Sequence, residues 1–483
     1  MHVSLRPILL VNGILLSVMS VVMLLPMAVD LINENPDWVV FLSSSFITAF
    51  IGVILYLSNR GYKGSLNLRQ AFLFTTTSYF TVSVFAAIPL YLSSSNIDFT
   101  DAWFEATSGI TSTGASVLSG LDLMPPGVLL WRSLLNAMGG IGIVVLALAV
   151  LPMLRIGGMQ LFRTESSDKM EKILPRTTQI ALVITLVFLL LVFVCAFGYG
   201  VAGMSSFDAI NHALTTVATG GFSTHDKSIA YFNSPQIEML AVVFMILGAL
   251  PMILYFQVLK GNPQALFQNT QVQWFLGIVA SVTVLIVIWL VYTDVYDFWS
   301  AVRYALFSVV SIITTTGYAS TDYAAWGTFS TSLLFMLIVV GGCTGSTSGG
   351  IKIFRYQVLY KTAKAQIRQL IQPHGVFVPQ YNQKPITENV SQSVLSFFIL
   401  FAFVFMVVSI SLSAFGMDFL TAMSSAAQAL ANVGPGLGEI VGPAGNYASL
   451  EDGAKWILSV AMIMGRLELF TVLVLFTPYF WRA

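Results

Sequence analysis

Charge is scarce in this chain. Of its 483 residues only 9% are Asp, Glu, Lys or Arg against 56% hydrophobic, and the mean hydropathy is +0.82. A soluble domain carries roughly a quarter charged residues, so a soluble fold is excluded and repeated passage through a bilayer is implied. Cysteine is nearly absent. Cys195 and Cys343 stand far apart in apolar or glycine-rich sequence, which rules out a disulfide framework and leaves a structural zinc site short of ligands. Neither Gly-x-Ser-x-Gly nor His-Glu-x-x-His occurs, and no paired aspartates sit within apolar spans, so an intramembrane enzyme is not expected. The formal net charge of zero says nothing by itself about partners; neither a nucleic-acid partner nor a cofactor is expected.

Long apolar runs take the place of charge. Ten reach crossing length: 7–29, 37–58, 70–93, 128–153, 177–201, 235–259, 272–293, 328–352, 391–415 and 454–480. The first follows Met1-His-Val-Ser-Leu-Arg6 with no A-x-A-like cleavage site, which reads as a retained anchor helix. Four further segments, 101–111, 207–218, 299–314 and 418–431, are too short to cross and read as re-entrant half-helices. The order is two leading spans, then four copies of span, half-span, glycine turn, span. It predicts a two-helix unit at 1–69 and four repeats at 70–176, 177–271, 272–390 and 391–483.

An N-terminus in the cytoplasm puts 17 of the 22 basic residues on that side, among them Lys63, Arg155, Arg163, Lys169, Lys172, Arg176 and Lys352. The positive-inside rule supports this orientation, and an even number of crossings returns the C-terminus to the same side. The acids do the reverse, with 17 of 22 outside or at outer span ends. A ring of carboxylates at an outer mouth would concentrate cations. Asp101, Asp208, Asp297 and Asp418, at or near the starts of the half-spans, suit helix capping. Arg132 and Arg466 fall within spans, and Arg132, at the start of its span, is expected to snorkel.

Each half-span runs into a small polar segment centred on glycine: Thr111-Ser-Thr-Gly114-Ala115, Val217-Ala-Thr-Gly220-Gly221, Thr314-Thr-Thr-Gly317-Tyr318 and Asn432-Val-Gly434-Pro435-Gly436. Irregular backbone is tolerated at membrane depth only where protein or a water-filled cavity surrounds it. A dehydrated cation needs several oxygens at close range. Glycine lets carbonyls turn toward one point through positive φ, and threonine adds a hydroxyl and a stiff β-branch. The candidate ion ligands are therefore Thr113, Gly114, Thr219, Gly220, Thr316, Gly317, Val433 and Gly434. Small residues also pack helices closely in membranes, but recurrence in four matching contexts favours a pore. From Asp101, Asp208, Asp297 and Asp418 the separations to the four glycines are 13, 12, 20 and 16 residues. The fourth copy lacks the threonine, so the expected pore is pseudo-fourfold and imperfect.

These features resemble the bacterial Trk-type potassium uptake subunits, the TrkH family within the Trk/Ktr/HKT superfamily. The resemblance covers nearly the whole length. It includes the two leading spans, the four glycines, the run Gly220-Gly-Phe-Ser-Thr-His225-Asp226 and the ending Gly465-Arg466-Leu467-Glu468. It implies an all-α polytopic membrane protein of four helix–pore-helix–helix repeats around a central pathway. K⁺ is then the transported ion and the bacterial inner membrane the location. A homodimer with a soluble nucleotide-binding regulatory ring is the implied assembly.

Span eight runs into Gly341-Gly-Cys-Thr-Gly-Ser-Thr-Ser-Gly-Gly350, half of it glycine, where a continuous helix would be costly. It lacks the Gly-Lys-Ser/Thr ending of a phosphate-binding loop. Composition leaves a kink, a plain span end and a gate open. The resemblance implies a break in mid-membrane, with Gly345, Ser346, Thr347, Gly349 and Gly350 obstructing the path beneath the filter. It also implies that Arg466 projects into the pore and bonds the loop carbonyls. Thr344 and Ser348 replace the Ala and Gly usual in the family and are expected to stiffen the loop. Arg466 and Glu468, two apart, would not face each other on a helix and are expected to have different partners. Glu468 is the place to look for proton coupling. His212 reads as a polar spacer, and His225 and Asp226 as stabilisers of their loop. The basic stretches 154–176 and 352–384 suit anionic lipid or a cytoplasmic partner. A proton- or sodium-coupled symporter with alternating access is the rival to channel-like permeation, but would more often show two inverted halves.

Overall fold

The first apolar run folds as α1 (Arg6–Val22) and α2 (Leu24–Ile32), parted only at Met23. Pro26, with no N–H to give, accounts for the interruption one turn before it. Helix α3 (Trp38–Asn59) lies so close to α1 that a Cβ at Gly13 would stand 2.8 Å from the Gly52 carbonyl oxygen. The computed structural model describes residues 4–62, 67–149, 177–382 and 384–482. Lys63, Arg155, Arg163, Lys169, Lys172 and Arg176, and with them the basic stretch 154–176, lie outside the described residues.

Four sets of helices follow. The first is α4 (Leu68–Leu92), α5 (Phe99–Ile110) and α6 (Pro126–Ala149). The second is α7 (Thr177–Val201), α8 (Ser206–Val217), α9 (Pro235–Ala249) and α10 (Met252–Leu259), with the short α11 (Gln264–Gln268) after it. The third is α12 (Thr270–Tyr292), α13 (Phe298–Ile313), α14 (Thr328–Ile338) and α15 (Ile353–Ile371). A two-residue hairpin, β1 (Gln380–Tyr381) with β2 (Lys384–Pro385), precedes the fourth set. That set is α16 (Glu388–Ser413), α17 (Phe419–Ala431), α18 (Asp452–Arg466) and α19 (Leu469–Leu473), with α20 (Pro478–Arg482) at the end.

The half-helices form where hydropathy places them. Their N-caps are Asp98, Ser205, Asp297 and Asp418, each accepting a backbone N–H of the first turn. The caps expected at Asp101 and Asp208 are thus corrected. Both sit three residues further on, where Asp101 pairs with Lys455 at 2.5 Å and Asp208 accepts the Thr224 hydroxyl at 2.7 Å.

Two spans expected to be continuous are not, and a third stops where a break was expected. The run 235–259 bends by 96° between α9 and α10, where Pro251 cannot extend the ladder. The run 454–480 bends by 111° after Arg466, and Glu468 takes φ +62° at the corner. The run 328–352 stops being helical at Ile338. Seven helices, counting α1 and α2 together, remain long and apolar enough to cross unbroken among the described residues.

Polarity is arranged inside out. Large apolar side chains such as Phe193, Phe197, Ile288 and Phe403 face outward, while Thr107, Ser108, Thr215, Ser311, Ser424 and Gln428 of the half-helices are buried. The half-helices therefore form a polar centre that the longer spans screen from lipid.

Candidate functional site

All four half-helices end with one backbone pattern. Ser112, Thr219, Thr315 and Asn432 take φ of +50°, +49°, +59° and +55°. The next amide then reaches back to a carbonyl five residues earlier: Thr113 to Ser108, Gly220 to Thr215, Thr316 to Ser311 and Val433 to Gln428, at 2.8–3.0 Å. This left-handed helix ending satisfies carbonyls that the stopped helix would orphan. It also sets the register, and here the sequence expectation needs correction. Gly220 occupies the place of Thr113, and the counterpart of Gly114 is Gly221. From Asp98 to Gly114, Ser205 to Gly221 and Asp418 to Gly434 the separation is the same 16 residues. In the third set, Asp297 to Gly317 spans 20, because α13 has 16 residues where α5, α8 and α17 have 12, 12 and 13. Helix length decides the register, not the threonine before the glycine.

The four segments touch in cyclic order. A Cβ at Gly114 would overlap the Gly220 carbonyl, and one at Gly221 the Thr316 carbonyl. A Cβ at Gly317 would lie 2.7 Å from the Gly434 nitrogen, and one at Gly434 3.1 Å from the Gly114 oxygen. The ring therefore closes, and Thr113, Gly114, Gly220, Thr316, Gly317, Val433 and Gly434 come together in it. Thr219 sits one residue lower, level with Ser112 and Thr315, and its hydroxyl meets Thr347 at 3.2 Å. In the fourth segment Val433 stands in the place of Thr113, and the Asn432 amide before it donates to the Thr113 hydroxyl at 3.0 Å and the Met462 carbonyl at 2.9 Å.

Directly beneath, residues 339–352 form a buried loop closed by a bridge between Val340 and Ile351. It attaches to the ends of three half-helices. Thr347 donates its hydroxyl to the Val217 and Gly248 carbonyls at 2.9 and 3.0 Å. The Ser348 hydroxyl donates to the Thr314 carbonyl at 2.7 Å and accepts the Gly342 amide at 3.0 Å. The Gly349 amide donates to the Thr315 hydroxyl at 2.7 Å, and a Cβ there would overlap the Ala431 carbonyl. The α9–α10 bend belongs to the same construction, because the Met252 amide donates to the Gly345 carbonyl at 2.9 Å and Cys343 to Ala249 at 3.0 Å.

A cavity of about 30 Å³ under the loop is lined by Gly345, Ser346, Ser348, Lys352, Arg466 and Glu468. Arg466 faces it but donates to the Gly139 carbonyl of α6 at 3.3 Å, not to the loop, while its Nε and Nη1 make no hydrogen bond among the described residues. The group that bonds a loop carbonyl is Lys352, whose ammonium donates to the Ser348 oxygen. Sequence reasoning placed Lys352 among cytoplasmic charges and missed it; its position two residues after Gly350 was the available signal. Glu468 pairs with Arg355, so Arg466 and Glu468 do have different partners.

On the other side, Gly114, Gly221, Gly317 and Gly434 open into a recess that Arg132 and His225 also line. Arg132 does not snorkel. It is 1% exposed, with Nε 2.7 Å from Glu105, because a carboxylate on the buried face of α5 gives it a partner inward. Glu105 was also missed, although a charge within an apolar half-helix signals a buried pair. His212 donates from Nδ1 to the Asp208 carbonyl at 2.9 Å, which leaves Nε2 to accept the Ser223 hydroxyl at 2.9 Å. His225 lies 2.5 Å from Asp122 and 3.4 Å from Asp208, and Asp226 accepts the Gly120 and Leu121 amides. Burial lowers the His225 pKa, but the hydrogen bonds and charges of Asp208 and Asp122 outweigh it and hold the value above the ordinary 6.5. These acids are engaged in ties between loops and do not form an open carboxylate ring.

The TrkH protein-family model, described as a cation transport protein, matches residues 38–482. The chain is 44% identical to the Trk system potassium uptake protein TrkI of Halomonas elongata, over 99% of this chain and 97% of that protein. It is 38% identical to the Trk system potassium uptake protein TrkH of Escherichia coli K12, with 99% of each covered. The crystal structure of the potassium transporter TrkH from Vibrio parahaemolyticus superposes with a TM-score of 0.92 at 36% identity, covering 99% of this chain and 100% of that one.

Proposed function

The chain belongs to the TrkH family of cation transport proteins, and from that premise we propose that it takes up potassium by channel-like permeation through the four-segment ring. The observation that carries this reading is the cyclic closure of Gly114, Gly220–Gly221, Thr316–Gly317 and Gly434 around one centre. Carbonyls of Thr113, Gly114, Gly220, Gly221, Thr316, Gly317, Val433 and Gly434 replace the ion's water. The 345–350 loop obstructs the path beneath, and Arg466 with Lys352 adds a positive barrier. K⁺ is cargo, and no cofactor is required. Uptake is driven by the membrane potential, about 2.3 kcal/mol per charge for each 100 mV, or roughly a fiftyfold gradient.

The protein works in the bacterial inner membrane with both termini in the cytoplasm, as a homodimer. A nucleotide-binding regulatory subunit docks on the cytoplasmic side, where α15 extends beyond the loop with Lys361, Lys364 and Arg368. Sodium- or proton-coupled alternating access is the second reading, favoured by the bends at Pro251 and Glu468.

The test is flux of K⁺, Rb⁺, Na⁺ and Li⁺ into liposomes, with the intact chain and with Gly317→Ser. Loss of discrimination in the variant is expected; unchanged discrimination would remove the third segment from the filter. Discrete single-channel openings in patched liposomes would exclude alternating access.

A further inference from the structure

We propose that the buried Glu105–Arg132 pair is a specificity-determining brace that holds the outer ends of the first and second filter segments in register. The proposal rests on the filter reading above and assigns a role to residues behind the ring, which do not touch the ion. Arg132 makes three directional contacts. Its Nε donates to Glu105 Oε1 at 2.7 Å, its Nη1 to the Ser223 carbonyl at 2.8 Å and its Nη2 to the Ser116 hydroxyl at 3.1 Å. Glu105 in turn accepts the Ser116 hydroxyl at 3.0 and 3.1 Å and the Val117 amide at 2.9 Å. The guanidinium also lies 4.2 Å over the Phe222 ring.

The two serines are counterparts. Each stands two residues beyond the glycine that ends its filter turn, Ser116 after Gly114 and Ser223 after Gly221. One planar fork therefore joins equivalent points of two segments 107 residues apart in the chain, between Ser116 and Ser223. A lysine could supply the charge but not three fixed directions. Both members are buried, with side chains 2% and 0% exposed. Burying an ion pair is expensive, and apolar side chains would hold two helices together as well. What an apolar pair could not do is fix the angle and height of two extended segments, and those set where their carbonyls meet an ion.

His225, paired with Asp122, adds a second tie between the loops that follow the same two segments, while other pairs lie among the helices. Glu238–Arg303 links α9 to α13, Lys455–Asp101 links α18 to α5, and Arg355–Glu468 lies under the loop. The seam between the second and third segments is held instead by neutral groups, with the Tyr318 hydroxyl donating to the His212 carbonyl at 3.1 Å. Among the described residues, the arginine fork that reaches the filter segments themselves thus lies on one seam of the imperfect fourfold ring.

The experiment compares K⁺ and Na⁺ flux into liposomes for the intact chain, Glu105→Gln, Arg132→Lys, Ser116→Ala and Gly317→Ser, each checked for a single size-exclusion peak. Glu105→Gln and Arg132→Lys are expected to lower the K⁺/Na⁺ flux ratio by about fivefold or more, and Ser116→Ala by about twofold. A purely structural pair would reduce yield or thermal midpoint and leave the ratio of the surviving protein intact, and that result overturns the proposal. Should Glu105→Gln fail to fold, the two milder variants decide, and an unchanged ratio in both overturns the brace. If Gly317→Ser lowers the ratio while the brace variants do not, the brace alone fails. If Gly317→Ser leaves it unchanged, the filter reading fails, and the brace with it.

Discussion

The carbonyl oxygen of Gly220 fills the space that a side chain at Gly114 would need. Gly114 also takes φ +85°, a conformation strained for any other residue. Two independent constraints thus demand glycine at that point. Gly114→Ala is expected to cut K⁺ flux into liposomes by about tenfold or more, the effect of about 1.4 kcal/mol. Wild-type flux with wild-type selectivity would show that the ring does not conduct.

Ser348 lies in the loop beneath the ring, and its hydroxyl joins the loop to the Thr314 carbonyl. Such a buried bond contributes about 1 kcal/mol. Ser348→Gly should raise flux without any partner by about fivefold, measured as initial ⁸⁶Rb⁺ uptake. Equal or slower uptake by folded protein would mean that the loop is not what limits permeation.

Arg466 adds a charge to the cavity beneath the loop, with two of its nitrogens making no hydrogen bond among the described residues. Arg466→Ala is expected to increase flux by about tenfold, and Lys352→Gln to do the same to a smaller degree. The pair should be compared at fixed protein density in the same liposomes. A decrease in both would assign these residues to holding the fold.

His225 ties the loop after the second filter segment to Asp122 and Asp208, and this contact holds its pKa above 6.5. A raised folded value means stabilisation that is complete below about 6.5, the unfolded value, and is lost as pH rises through the folded value. Thermal stability in detergent should therefore be flat below about pH 6.5 and fall as pH rises above it. His225→Gln should flatten that fall, and an identical profile in the variant would rule the contact out as its origin.

Arg303 meets Glu238 with two bonds of 2.7 Å, and Glu238 is 1% exposed. Arg303→Gln leaves a buried carboxylate without its partner and should cost about 3 kcal/mol. The double variant Glu238→Gln, Arg303→Gln should recover part of that loss in thermal unfolding. No recovery would indicate that the arginine stem, not the charge pair, carries the stability.

Much of this architecture was legible because the bilayer imposes local rules. A span must be apolar along its own length and a half-helix must stop, so 101–111, 207–218, 299–314 and 418–431 could be placed within a few residues. The glycine turns were visible because irregular backbone in lipid needs a chemical reason wherever it occurs. Other features depend on what faces a residue from distant sequence. Hydropathy treats Arg132 as a charge near a span end and cannot register that Glu105, on another helix, turns it inward. It likewise cannot tell Gly221 from Gly220, since the choice follows from where α8 unwinds.

The sequence by itself determined the number of repeats, the depth of the four turns and the loop of small residues, because each is a property of a contiguous stretch in an apolar solvent. The tertiary structure alone decided which carbonyls share a ring, that Lys352 and not Arg466 bonds the loop, and that two spans bend beside it. The ring and the placing of Arg466 are settled by contacts between groups distant in sequence, such as Gly114 with Gly220 and Arg466 with Gly139, whose geometry no local pattern encodes.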